Sequence, residues 1–133
     1  MKLLRDLCTT ETIDTIINCA AYTAVDAAEK EPELAQAVNA TGVQNLVTVC
    51  EERNIRLLHI STDYVFNGDS KLPYAESAKV CPLGSYGQTK LCGEEAVRAL
   101  LDEHVILRLS GIFSGHTDCF PRAILKAALQ HAE

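Results

Sequence analysis

Three strand-length runs of nearly unbroken apolar character constrain this chain more than any other feature: Thr15 to Ala20 (TIINCA), Arg56 to Ser61 (RLLHIS) and Val105 to Ser110 (VILRLS). A strand with one wet face alternates polar and apolar residues, whereas continuous runs rich in β-branched residues are the pattern of strands buried on both faces of a parallel sheet. Parallel strands need long crossovers, usually helical. The intervals supply them. From Glu33 to Arg53, Leu34, Val38, Leu46 and Val49 or Cys50 fall near one face, and Pro32 sits where a first helical turn accepts it. From Ser85 to Leu101, Leu91, Ala96 and Leu100 trace a second face, with Glu94 and Arg98 as an i,i+4 pair on the exposed side. Shorter helices are expected near Lys2 to Leu7 and from Phe120 to His131. The alternating order implies right-handed crossovers and a doubly wound sheet.

One interval has no helical period. Thr62 to Pro82 contains Asn67-Gly68-Asp69 and two prolines, so it reads as a long loop leaving the carboxyl end of the second strand. Open α/β sheets bind their ligands at that edge.

Composition narrows the function. With 12 basic against 18 acidic residues, formally −6, the chain has no basic stripe for a phosphate backbone, so no nucleic-acid partner is expected. No apolar run approaches the roughly 20 residues of a membrane span, and MKLLRDLCTTET lacks the apolar stretch of a signal peptide. A cytoplasmic protein with no membrane partner is the expectation, with residues 1–133 as a single domain. The six cysteines form no C-x-x-C pair, and most lie in apolar periodic segments, which favours free, buried thiols. His116 and Cys119 have a spacing compatible with a metal, but no second pair accompanies them, so no metal is assigned.

Chemistry concentrates in two places. Tyr86-Gly87-Gln88-Thr89-Lys90 puts a tyrosine and a lysine four apart on one helix face. A neighbouring ammonium stabilises a phenolate, which would lower Tyr86 toward a working pH and make it a general acid for a ketone being reduced. Ser61-Thr62-Asp63-Tyr64-Val65-Phe66 ends the second strand, so Thr62 emerges at the sheet edge that this helix approaches. A hydroxyl there can donate to a carbonyl oxygen gaining negative charge, or simply satisfy local backbone groups. Asn18-Cys19-Ala20-Ala21-Tyr22-Thr23 ends the first strand in small residues, which admit a flat ligand or mark tight helix-on-sheet packing.

Together these motifs resemble the short-chain dehydrogenase/reductase superfamily. Within it, AAYTAVD (Ala20 to Asp26), VNATG (Val38 to Gly42), ISTDYVFNG (Ile60 to Gly68) and YGQTKLCGE (Tyr86 to Glu94) resemble the dTDP-4-dehydrorhamnose reductases, over about Asp14 to Gly115. The resemblance implies reduction at C4 of a nucleotide-linked 4-keto sugar with NADPH or NADH as cofactor. Tyr86 would protonate the nascent alkoxide, Thr62 would hydrogen-bond the same oxygen, and Lys90 would hold the nicotinamide ribose. Ala20, Ala21, Thr23 and Asn39 match cofactor-side positions, Asn39 as a brace from the neighbouring helix, and Asp63 and Tyr64 match positions that receive the sugar.

Two departures qualify what the resemblance implies. The family's glycine-rich βαβ start, whose backbone N–H groups hold the cofactor pyrophosphate, is not in these residues, since all seven glycines lie at or beyond Gly42. The expected fold is therefore α/β, a Rossmann-like three-layer α/β/α arrangement cut short, with a parallel sheet of about three strands, no first βαβ unit and no separate substrate domain. Such a polypeptide is expected to turn over little by itself and to self-associate through uncovered surfaces. The missing loop also keeps open a non-catalytic Rossmann-like binding or regulatory module. The second departure is Gly111, which stands where the family usually carries a tryptophan beside the sugar.

Overall fold

The computed structural model describes residues 2–115 and 119–130. The three apolar runs form β1 (Thr15–Asn18), β2 (Arg56–Thr62) and β3 (His104–Leu109), all parallel, in the order β1-β2-β3. Each crossover carries a helix: α4 (Gly42–Arg53) between β1 and β2, and α5 (Ser85–Leu100) between β2 and β3. Because both crossovers step the same way across the sheet, α4 and α5 lie on one face and pack against each other. Strand residues pointing toward them, Leu57, His59 and Ser61, are buried. On the opposite face Ile17, Val105 and Leu107 stay exposed, so the described residues bury one face of the sheet where the unbroken apolar runs suggested two.

The remaining helices are α1 (Lys2–Thr10), α2 (Val25–Ala28), α3 (Pro32–Gln36) and α6 (Phe120–Gln130). His131, the expected end of the last helix, lies outside the described residues, as does His116 of the His116/Cys119 spacing. The four-residue α2 has too short a period to read from sequence. Pro32 starts α3, and the helix continues through a π-helical turn at Ala37–Thr41 into α4. Asn54, left-handed at φ 54°, ends α4 as only Gly or Asn readily does, its N–H reaching the Cys50 and Glu51 carbonyls.

The core divides along the strands. Near their amino ends Cys8, Val47, Val49, Cys50, Ile55, Leu57, Val97 and Leu101 form a dry apolar cluster. Near their carboxyl ends a group of buried polar residues, Asn18, Asn39, His59, Ser61, Thr62, Thr89, Lys90 and Glu94, lies among small apolar ones such as Ala28, Ala40 and Val65. Among the described residues no disulfide joins any of the six cysteines; Cys8 and Cys50 are buried, while Cys19 and Cys81 are exposed. Among the described residues no helix is long and apolar enough to cross a membrane.

Candidate active site at the carboxyl edge of the sheet

The carboxyl ends of the strands and the first turn of α5 enclose a cleft of about 700 Å³. Thr62, Tyr86 and Lys90 all line it, with Ala21 and Thr23 on one wall and Asp63 and Tyr64 on another. Ala20 is exposed and stands outside the lining, although its N–H donates to Asn18 Oδ1 at 3.1 Å. Asn39 also stands outside it. Fully buried, it clamps the neighbouring segment through Tyr22 N–H (2.9 Å) and Tyr22 carbonyl (3.1 Å), and donates to Thr89 Oγ1 at 3.1 Å. Asn39 can therefore reach a ligand only through the backbone it holds. The π-helical turn puts the Asn39 carbonyl so close to Gly93 that any β-carbon there would collide with it.

Local hydrogen bonds set the reactive side chains. Thr62 caps the short 3-10 turn Asp63–Val65, accepting from Tyr64 N–H at 3.2 Å and donating to Asp63 Oδ1 at 3.2 Å. Tyr86 meets Tyr64 edge-on, ring centroids 5.6 Å apart at 77°. Lys90 is almost completely buried and donates from Nζ to the Ile60 carbonyl at 2.7 Å. This placement reverses the electrostatics expected from spacing. Burial raises the Tyr86 phenol above its ordinary value, a hydrogen bond with Thr62 pulls it back in part, and Asp63 and Tyr64 push it further up. Burial also lowers the Lys90 ammonium, opposed by the Glu94 carboxylate. Tyr86 is thus firmly protonated at neutral pH.

Beneath the cleft lies a polar layer that the spacing of apolar residues did not reveal. Glu94, expected on an exposed face, is fully buried. It does pair with Arg98 (2.9 Å), but it also takes Ser61 Oγ (2.5 Å) and Arg108 (2.7 Å). Burial pushes this carboxyl up, and the hydrogen bonds from Arg108, Ser61 and Arg98 outweigh it, holding it below the ordinary carboxylate range. His59, also fully buried, accepts from Asn18 Nδ2 at Nδ1 (3.0 Å), since the Asn18 oxygen is committed to Ala20. Burial drives His59 down to about 4, so its ring is neutral. A histidine and a serine at inward positions of an otherwise apolar strand were the available signal. The cleft is further lined by Val25 and Ile60, which lie in the quoted motifs without a role assigned to them, and by Leu109 to Ile112, of which only Gly111 had been singled out. Gly111 is part of it, and a side chain there would meet open space, so the cleft has room where the resembling family places its tryptophan.

The family model of the RmlD substrate binding domain matches residues 1–133, the whole chain. The chain belongs to that family. Among relatives of this RmlD-domain chain, dTDP-4-dehydrorhamnose reductase of Escherichia coli (strain K12) is 42% identical over 120 residues, covering 90% of this chain and 40% of that protein. The dTDP-4-keto-6-deoxy-D-glucose reductase of Streptomyces niveus is 46% identical over 113 residues, covering 84% of this chain and 39% of that protein. The chain thus spans well under half the length of these relatives. In three dimensions it is similar to the crystal structure of dTDP-4-dehydrorhamnose reductase from Bacillus anthracis in complex with NADP. The TM-score is 0.93 at 33% identity, covering 98% of this chain and 46% of the other. The Rossmann-like α/β class read from the sequence is borne out.

Proposed function

We infer that this RmlD-domain chain carries the proton-donating half of a nucleotide-sugar reductase, acting on the C4 ketone of a dTDP-linked 4-keto sugar. The observation that carries the reading is the convergence of Thr62, Tyr86 and Lys90, from two elements far apart in sequence, on one cleft at the carboxyl edge of a parallel sheet. Relatives named for reduction of dTDP-4-keto sugars, and a neighbour solved with NADP, support it.

In this reading Thr62 Oγ1 turns from Asp63 to the substrate oxygen and steadies the charge that develops there as the carbonyl is reduced. Tyr86 then delivers its phenolic proton. A raised phenol pKa serves this direction, because the group stays loaded at neutral pH and a nascent alkoxide is a stronger base than the phenolate left behind. The cleft suits a nicotinamide cofactor, NADPH or NADH: its wall at Ala21 and Thr23 is made of small residues, and Lys90 and Tyr86 offer hydroxyl-binding groups opposite. The reduced nicotinamide, when bound, supplies the hydride. Ala21 and Thr23 would flank it, Lys90 Nζ would hold its ribose with the protons not spent on Ile60, and Ala20 and Asn39 would act by fixing the backbone of that wall. Asp63 and Tyr64, on the other side of Thr62, receive the sugar.

A chimaera tests this directly. Residues 14–115, exchanged for the matching segment of the Escherichia coli reductase, should give an enzyme that oxidises NADPH when a dTDP-4-keto-6-deoxy sugar is added. A folded chimaera that binds NADPH but leaves the sugar unreduced would contradict the assignment.

A further inference from the structure

We propose that Glu29 is a positioning residue for Tyr86, tying the segment that leads from the small-residue wall to the first turn of the helix that carries the phenol. Helix α5 is preceded by Gly84 at its N-cap position, which has no side chain to cap the helix locally. Four orphan N–H groups at a helix start need acceptors, and Ser, Thr, Asp or Asn at the N-cap position normally supplies one. Here the acceptor comes from 56 residues away. One Glu29 carboxylate oxygen accepts from Ser85 N–H at 2.6 Å and the other from Ser85 Oγ at 3.0 Å. A carboxylate at this position also complements the positive end of the helix dipole.

The local sequence is fitted to this arrangement. A β-carbon at Gly84 would lie 2.7 Å from Glu29 Oε1, so a residue with its own capping side chain would compete with Glu29 for the same space. Gly84 has extended backbone at φ −127°, which any residue adopts, so a side chain there would be accommodated by displacing the flexible Glu29 carboxylate from Ser85. Just past Tyr86, a β-carbon at Gly87 would collide with the Tyr64 carbonyl. Tyr86 is therefore held between the Glu29 carboxylate before it and the Tyr64 backbone after it.

Glu29 follows directly on α2, whose Ala28 is fully buried and whose Val25 lines the cleft. A movement of the Ala21 to Val25 wall is thereby passed to Ser85 and to the neighbouring phenol. The assignment of Tyr86 as proton donor rests on the function proposed above. The tie itself is tested without turnover, so failure of one is distinguishable from failure of the other.

The test uses the chain with labelled tyrosine rings, Tyr86→Phe providing the assignment. Glu29→Ala should lower the melting temperature by a few degrees and displace the Tyr86 and Tyr64 ring resonances, whose edge-on contact depends on the first turn of α5. The Tyr74 ring, stacked on Phe66, should not move. Adding Gly84→Asp to Glu29→Ala restores a local cap and should recover the melting temperature while both rings stay displaced. In the parent chain the same Gly84→Asp change should displace the Glu29 carboxylate from Ser85 and shift the same two rings. Unmoved rings in Glu29→Ala, or rings fully restored by recapping, would overturn the proposal and leave Glu29 as a helix cap only. Should Glu29→Ala not fold, Glu29→Gln keeps an acceptor for Ser85 N–H. A partial displacement of the same two rings then supports the tie, and parent-like rings refute it.

Discussion

The two halves of one helix-covered core are built on opposite principles. At the amino ends of the strands, Val47, Val49, Cys50, Leu57 and Val97 pack without a polar side chain among them. A few residues further along the same strands and helices, the core contains His59, Asn18, Asn39, Ser61, Thr89, Lys90 and Glu94, held by side-chain hydrogen bonds. The apolar half gains stability in proportion to buried area and tolerates small shifts. The polar half gains little net stability per bond, but each bond fixes a direction. The cleft opens from the polar half, so geometry is concentrated where chemistry is proposed.

The contrast can be broken most severely at Arg108. Arg108→Met leaves the buried Glu94 carboxylate with only Ser61 and the half-exposed Arg98, a loss of up to about 3–5 kcal/mol, the cost of a buried charge stripped of its partner. A thermal melt should fall by about 10 °C, and adding Glu94→Gln should recover much of the loss. In the apolar half, Leu57→Ala should cost about 2–5 kcal/mol through lost contact and a cavity, read by denaturant titration, while leaving the polar half's hydrogen bonds in place.

His59 offers a pH-dependent version of the comparison. Its folded value of about 4 lies below the ordinary value of about 6.5, so on acidification the unfolded chain takes up a proton first. Its contribution is fully present above pH ~6.5 and is lost as pH falls toward 4, on the order of 3 kcal/mol. Melting temperatures measured across that window should drop steadily, and His59→Leu should flatten the slope although its plateau is lower. The smallest effect belongs to the open face of the sheet. Val105→Thr changes a half-exposed position and should move stability by less than about 0.5 kcal/mol in the same melts.

The apolar half was legible in the sequence and the polar half largely was not. Continuous apolar runs gave all three strands to within two residues at either end, and helical spacing gave α4 and α5, because period and burial are local properties. Thr62, Tyr86 and Lys90 were legible for another reason: each is a reactive type at a strand end or helix start. The partnership of His59 with Asn18, and of Glu94 with Arg108, depends on which strands and helices become neighbours, and no helical or strand period relates their members. Glu94 was placed on the wrong face because its helical spacing with Arg98 is equally consistent with an exposed pair. The Glu29 contact with Ser85 was invisible for the same reason, with Gly84 its only local trace.

In the proposed reaction Tyr86 supplies the proton, Thr62 steadies the oxygen that takes it, and the polar half of the core holds both in place. The most direct measurement is Tyr86→Phe in the chimaera, with NADPH affinity by fluorescence titration beside turnover of the dTDP-4-keto sugar. Loss of the phenolic proton should lower turnover by about 10²–10⁴-fold with NADPH affinity nearly unchanged. Turnover equal to the parent chimaera would contradict the account.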